Sequence, residues 1–118
     1  NIHVYLMLEV PRQRKTPEQR FKDAWSETKP PDSAGITLDE HLEDQNSVIQ
    51  ILDLIESHNL TTVDLASGCF DETNQSLMSK KWTSYYSDDD HLNAAGVKVL
   101  LGNTVESLFS GFKENNVQ

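Results

Sequence analysis

The run Ile2–Val10 (IHVYLMLEV) limits what this chain can become. In an extended segment Ile2, Val4, Leu6, Leu8 and Val10 share one face, and His3, Tyr5, Met7 and Glu9 share the other. Both faces are largely apolar, Glu9 excepted. Such a strand belongs in a sheet covered on both sides. Pro11 ends it. A second, shorter strand is expected at Thr61–Ala66, β-branched at its start and turned off by Ser67-Gly68. Helical patterns lie between the two. A strand, a helical crossover and another strand imply parallel pairing and an α/β layer fold. The 118 residues are enough for one domain.

Thr16-Pro-Glu-Gln19 reads as a helix start, with Thr16 as N-cap, Pro17 in the first turn and Gln19 closing a capping box. That helix is expected to reach Thr28, with Phe21, Ala24 and Trp25 on one face and Trp25 packed into the core or under a lid, the lining of an acyl or sugar pocket being its rival role. Lys29–Gly35 reads as a loop by its prolines and glycine. Thr37-Leu-Asp-Glu40 is a second capping box, and the spacing of Leu42, Gln45, Val48, Ile49, Leu52 and Ile55 predicts a helix over Leu38–Ser57. His41 and His58 fall near its ends and are read as solvated or capping, and Asn59 as a left-handed terminator. Cys69–Lys81 is expected to be irregular, and Trp82–Tyr86 to be a short extended piece. Asn93–Phe112 reads as the last helix, ended by Gly111 and a polar tail.

The net charge of −9 argues against nucleic acid as a partner and against an anionic membrane surface. No apolar run approaches the ~20 residues of a membrane helix, and no targeting segment is visible. Cys69 is the single cysteine, so an internal disulfide is excluded. Arg12, Arg14 and Lys15 form a small basic cluster, read as a solvated loop.

Chemistry concentrates in Tyr86-Ser-Asp-Asp-Asp-His-Leu-Asn-Ala-Ala-Gly96. Three carboxylates and an imidazole occupy consecutive positions ahead of a helix. The D-x-x-H spacing of Asp88 and His91 lets the carboxylate accept from one ring nitrogen and leave the other as a general base. Consecutive side chains splay apart, so Asp89 and Asp90 are not expected to touch the base. One of them is expected to cap the following helix and the other to face solvent. A metal site at Asp88, Asp90 and His91 is the rival reading, but their spacing matches no standard loop. No cofactor is called for.

The block Y-x-D-x-x-H-L-x-x-x-G resembles the last block of the SGNH (GDSL-like) hydrolases, and within them the SGNH domains fused to membrane O-acyltransferases of bacterial surface polysaccharides. The resemblance implies that Asp88 is the acid and His91 the base of a Ser-His-Asp triad. It implies a flavodoxin-like, doubly wound parallel sheet, of which this chain is the C-terminal part: residues 1–113, with 114–118 a polar tail. The family's nucleophile sits in a G-D-S block and its oxyanion hole draws on a G-x-N block. Neither is present here. Asp32-Ser33 follows Pro31 rather than a strand, and Ser67 and Ser87 lack the elbow context.

The abrupt, strand-like start is read as that of a piece of a longer protein. Two functions follow. One is part of a serine esterase or O-acyltransferase acting on acyl groups, acetyl first among them, of carbohydrate hydroxyls. The other is an inactive SGNH-like module that binds carbohydrate or a partner. The implied partners are an acylated carbohydrate or a small ester, the missing N-terminal half of the domain or a second copy, and a fused membrane acyltransferase domain. The implied location is periplasmic or on the extracellular face of a membrane protein. There Cys69 would be a leftover thiol, or would bridge to a cysteine outside this sequence.

Overall fold

A single parallel strand pair anchors the architecture. The computed structural model describes residues 2–55 and 57–115, and of 112–115 the backbone alone. In chain order it contains β1 (Val4–Met7), α1 (Pro17–Ser26), β2 (Ala34–Thr37), α2 (Leu38–Asp53) and β3 (Leu60–Val63). A 3-10 turn at Ala66–Cys69 leads to β4 (Gln75–Leu77), β5 (Ser79–Lys80) and β6 (Thr83–Ser84). Then α3 (Ala94–Gly96) runs through a π turn (Val97–Leu101) into α4 (Gly102–Asn115).

β1 and β3 pair in parallel, from Val4 opposite Leu60 to Met7 opposite Val63. The intervening helices make this the α/β crossover that the two apolar runs require. Both strands are shorter than the runs that encode them. Among the described residues β1 has one neighbour, so Val4, Leu6 and Met7 stay exposed. The other four strands form two antiparallel pairs, β2 with β4 and β5 with β6. β2, β4 and β5 occupy stretches read as loop or irregular, whereas β6 lies in the short extended piece expected at Trp82–Tyr86. β2 lies at the end of the Pro-rich loop and gains its strand character from a partner 40 residues away: Gln75 Nε2 donates to the Gly35 carbonyl.

Both capping boxes form. Gln19 N–H donates to Thr16 Oγ1 at 3.3 Å and Thr16 N–H to Gln19 Oε1 at 3.1 Å. Glu40 N–H donates to Thr37 Oγ1 at 3.2 Å and Thr37 N–H to Glu40 Oε2 at 2.8 Å. α2 stops at Asp53, short of Ser57, and residue 56 lies outside the described residues. Its last turn has no basic side chain to complement the helix dipole, and Ile51 and Leu54 are largely exposed. Asn59 is not left-handed, because the chain leaves α2 through Leu54 in a right-handed conformation. At the other end α4 continues to Asn115, past the start of the expected tail; 116–118 lie outside the described residues.

The core is built away from β1. Cys69, Met78, Tyr85, Tyr86, Leu100 and Leu101 form one buried cluster, with Val10, Leu65 and Leu92 packed against it. Burial pushes the Cys69 thiol up to about 12, so it stays a protonated, inert packing group. A bridge to an outside cysteine would require opening the core. His41 is buried rather than solvated, its ring 5.8 Å from Phe70. Desolvation there lowers its pKa. Trp25, expected in the core or under a lid, is 78% exposed.

A buried amide joins these parts. Gln13 Nε2 donates to Ser76 Oγ at 3.2 Å and to Tyr86 Oη at 3.1 Å, and lies 3.4 Å from the Pro11 carbonyl. Its Oε1 accepts from Ile36 N–H at 3.0 Å. We expect Gln13→Leu to lower stability by about 2–3 kcal/mol, because buried partners on β2, β4 and Tyr86 lose their hydrogen bonds. A urea unfolding curve with an unchanged midpoint would contradict this.

Candidate active site

The acidic loop is presented by a closed collar. Tyr86 and Leu92 form an antiparallel bridge, and Ser87 N–H donates to the His91 carbonyl at 2.8 Å. Asn93 locks the collar from the helix side. Its Oδ1 accepts from Gly96 N–H at 2.9 Å, making it the N-cap of α3. Its Nδ2 donates to the Ser84 carbonyl at 2.8 Å. The cap is therefore Asn93, and neither Asp89 nor Asp90. An asparagine ahead of Ala-Ala is an ordinary N-cap signal, which the three aspartates before it obscured. Gly96 has no alternative: a Cβ there would collide with the Tyr85 carbonyl.

Inside the collar Asp88 turns back on its own backbone. Its Oδ1 accepts from His91 N–H at 2.7 Å and from Asp90 N–H at 3.0 Å. Its Oδ2 lies 2.9 Å from His91 Nδ1. The two backbone donors, and then the imidazole, hold the Asp88 carboxyl down at about 2. A carboxylate only accepts, so Nδ1 carries the proton and the lone pair of a neutral His91 lies on Nε2. The three acidic side chains then part ways. Asp89 leaves the imidazole and pairs with Arg12 Nε at 3.1 Å. Gln13 N–H also donates to the Asp89 carbonyl, at 2.6 Å, fixing the loop to the segment after β1.

Asp90 departs from expectation. Its Oδ1 lies 2.8 Å from His91 Nδ1, so a second carboxylate touches the base. The Asp88 hydrogen bond, followed by the charges of Asp88 and Asp90, raises the His91 pKa. The imidazole remains 74% exposed. It sits on the rim of a groove of about 400 Å³, lined by Val10, Leu65, Leu92 and Leu101 at the C-terminal ends of β1 and β3. That end of a parallel pair is where α/β sheets place ligands.

One donor atom from each of Asp88, Asp90 and His91 lies within 4.8 Å of the others. A cation ligated through His91 Nδ1 would displace the proton that Nδ1 shares with Asp88 and Asp90, so the set as it stands suits a proton relay better. Among the described residues no hydroxyl hydrogen-bonds to the imidazole. Ser33 immediately precedes β2, its carbonyl accepting from Met78 N–H at 2.8 Å, and Ser67 N–H donates to Asp64. The basic cluster is paired rather than free: Arg12 with Asp89, Arg14 with Asp44 and Lys15 with Asp23. Gln13, Arg12 and Asn93 position the loop, and of these Gln13 carried no signal in the sequence.

Residues 1–103 match the family model of the SGNH domain (fused to AT3 domains). The chain belongs to the SGNH-domain family. No characterised protein and no solved structure gives a significant match. Membership makes this SGNH chain an α/β module of a kind linked to AT3 acyltransferase domains, and points to a membrane-associated setting. Among the described residues no helix is long and apolar enough to cross a membrane.

The ionisation states make a testable pattern. Asp88 is depressed, so its contribution to stability is present above the ordinary carboxylate pKa and is lost as pH falls towards about 2. His91 is raised, so its contribution is complete below the ordinary imidazole value and is lost as pH rises through its own pKa. An NMR titration of His91 should give a pKa above that of an unperturbed imidazole, about 6.5. Asp88→Asn and Asp90→Asn should each bring it down, Asp88→Asn further. A normal value in the unmodified chain would contradict the geometry.

Proposed function

We propose that this SGNH chain supplies the acid–base part of a serine-dependent acyl transfer or ester hydrolysis site acting on acyl groups, such as acetyl, of carbohydrate hydroxyls. The observation that carries this reading is the Asp88–His91 contact, with the Asp88 carboxylate pinned by two amides and the imidazole on the rim of a groove. In the proposed reaction His91 Nε2 takes the proton of a serine as that serine attacks the acyl carbonyl. It later returns the proton to the departing alkoxide. Asp88 fixes the tautomer and stabilises the imidazolium.

The nucleophile and the oxyanion donors are proposed to come from sequence outside these 118 residues, since neither G-D-S nor G-x-N occurs within them. Among the described residues β3 is the one strand neighbour of β1, and its other edge, with Val4, Leu6 and Met7 exposed, can take such a segment. The competing reading, a binding module without chemistry, is favoured by the lack, among the described residues, of any hydroxyl hydrogen-bonded to the imidazole.

The chain alone should not hydrolyse p-nitrophenyl acetate above buffer and imidazole controls. In an SGNH–AT3 protein that contains this chain, His91→Ala should reduce turnover by about ten-thousand-fold. Near-normal turnover in that variant would sink the assignment. A specific, His91-dependent esterase activity of the chain alone would sink the split site.

A further inference from the structure

The way α1 ends creates a cleft beside it. Glu27 is the C-cap, and Thr28 beyond it takes a left-handed conformation, φ 55°. Thr28 N–H donates to the Trp25 carbonyl at 3.1 Å and Lys29 N–H to the Ala24 carbonyl at 3.2 Å. These two bonds turn the chain back along the helix, a closure that glycine ordinarily serves and in which a β-branched residue is an outlier. Pro30 and Pro31, each with a fixed φ, then form a stiff wall. The cleft has a volume of about 190 Å³, with Ala24, Pro30 and Pro31 on its apolar side and Arg20 on its polar side. Arg20 is half-buried there. Among the described residues its side chain makes one hydrogen bond, from Nη2 to the Ala34 carbonyl at 3.3 Å. The carboxylates around the cleft are engaged elsewhere. Asp23 pairs with Lys15 at 3.1 Å and Glu27 with Lys29 at 2.6 Å. Asp32 accepts from Ala34 N–H at 3.0 Å and acts on Arg20 through its charge alone. Desolvation outweighs that charge and lowers the Arg20 pKa. A guanidinium that has lost water without gaining a carboxylate is short of a counterion.

We propose that this cleft binds a small organic carboxylate, which takes the free edge of the Arg20 guanidinium while its alkyl part lies against Ala24, Pro30 and Pro31. A guanidinium presents parallel N–H groups that match the two oxygens of a carboxylate. One guanidinium, with the neighbouring lysines already paired, suits a single negative charge better than the nearly two of a phosphate. The apolar wall favours an anion that carries an alkyl group. A neutral ligand would leave the guanidinium without its counterion, and a metal cation would be repelled by it. The net charge of −9 opposes anions at long range. Salt screens that field over about 8 Å under physiological conditions, which leaves the local fork to decide. The cleft contains neither Asp88 nor His91, so the site stands apart from their acid–base reading.

The test is an NMR titration of the 118-residue chain with sodium propionate at constant ionic strength, read at the Arg20 Nε–H and at the Lys29 and Ala34 amides. Propionate should shift all three together and saturably, with a dissociation constant on the order of 1 mM. Propionamide, nearly the same shape without the charge, should leave them in place. Inorganic phosphate should bind about threefold more weakly than propionate. Arg20→Lys keeps the charge but loses the fork, and should weaken binding about tenfold at the two backbone amides. Asp32→Asn keeps an oxygen for the Ala34 N–H and removes the opposing charge, so it should tighten binding about threefold. That variant leaves Arg20 intact and carries the test if circular dichroism shows Arg20→Lys to be unfolded. No saturable shift at Arg20, an equal response to propionamide, unchanged affinity in Arg20→Lys, or weaker binding by Asp32→Asn would each overturn the site. Phosphate binding as tightly as propionate would overturn its assignment to a carboxylate.

Discussion

The side-chain amide of Gln13 is almost fully buried, and much of the rest is arranged around its four valences. An amide offers two donors and two acceptor lone pairs in one plane. Here the two N–H groups meet Ser76 Oγ on β4 and the Tyr86 hydroxyl, with the Pro11 carbonyl 3.4 Å from the same nitrogen, and the oxygen accepts from the Ile36 N–H on β2. Pro11 also accepts from the Tyr86 hydroxyl at 3.0 Å. Burial raises the pKa of that phenol, so it keeps its donor proton. Neither an acid nor an aliphatic side chain could satisfy this mixture of donors and acceptors. In a small domain with one parallel pair among the described residues, such a polar hub specifies the arrangement that a larger apolar core would otherwise enforce. The same residue's N–H holds Asp89, so the site loop and the core share one anchor.

That anchoring explains how three adjacent carboxylates avoid acting as one repulsive cluster. Asp88 is committed to backbone donors, Asp89 to Arg12, and Asp90 to the imidazole it shares with Asp88. The arrangement has a chemical cost. Two carboxylates on one nitrogen favour imidazolium, whereas a general base must be neutral. The pair is therefore held most firmly in the protonation state that precedes or follows proton transfer. A site of this kind gains basic strength in His91 and gives up some of the neutral population near pH 7.

The parts that could be read from the sequence are those governed by local rules. Thr16 and Thr37 announced their helices because a capping box is complete within four residues. The apolar runs around β1 and β3 announced parallel pairing, and D-x-x-H announced the Asp88–His91 contact, because three residues of separation suffice to bring the groups together. What escaped was non-local. β2 exists because Gln75 and Leu77 lie opposite it. His41 is buried because Phe70 covers it, and Trp25 is exposed because no segment among the described residues does. Asp90 reached the imidazole because Asp89 was drawn off by Arg12, 77 positions away. The SGNH relationship rested on a short block and was confirmed over residues 1–103, while the larger sheet it implies has one parallel pair among the described residues.

The π turn at Val97–Leu101 gives the helix after the site an unusual property. A bond to the fifth residue rather than the fourth accommodates one residue more than an α-helical turn does. It therefore sets the phase between the Asn93 cap, which fixes the acidic loop, and α4. Removing a single residue from this turn would restore ordinary helical winding and rotate one end against the other by about 100°. Leu100 and Leu101 would leave the core, or Asn93 would leave its carbonyls. Even Gly68 is tied to this winding, since a Cβ there would strike the Leu100 carbonyl. The reading frame of the helix, and not its composition alone, is what keeps the loop in place. Insertions and deletions should be tolerated least at a point where the sequence looks like any other amphipathic helix.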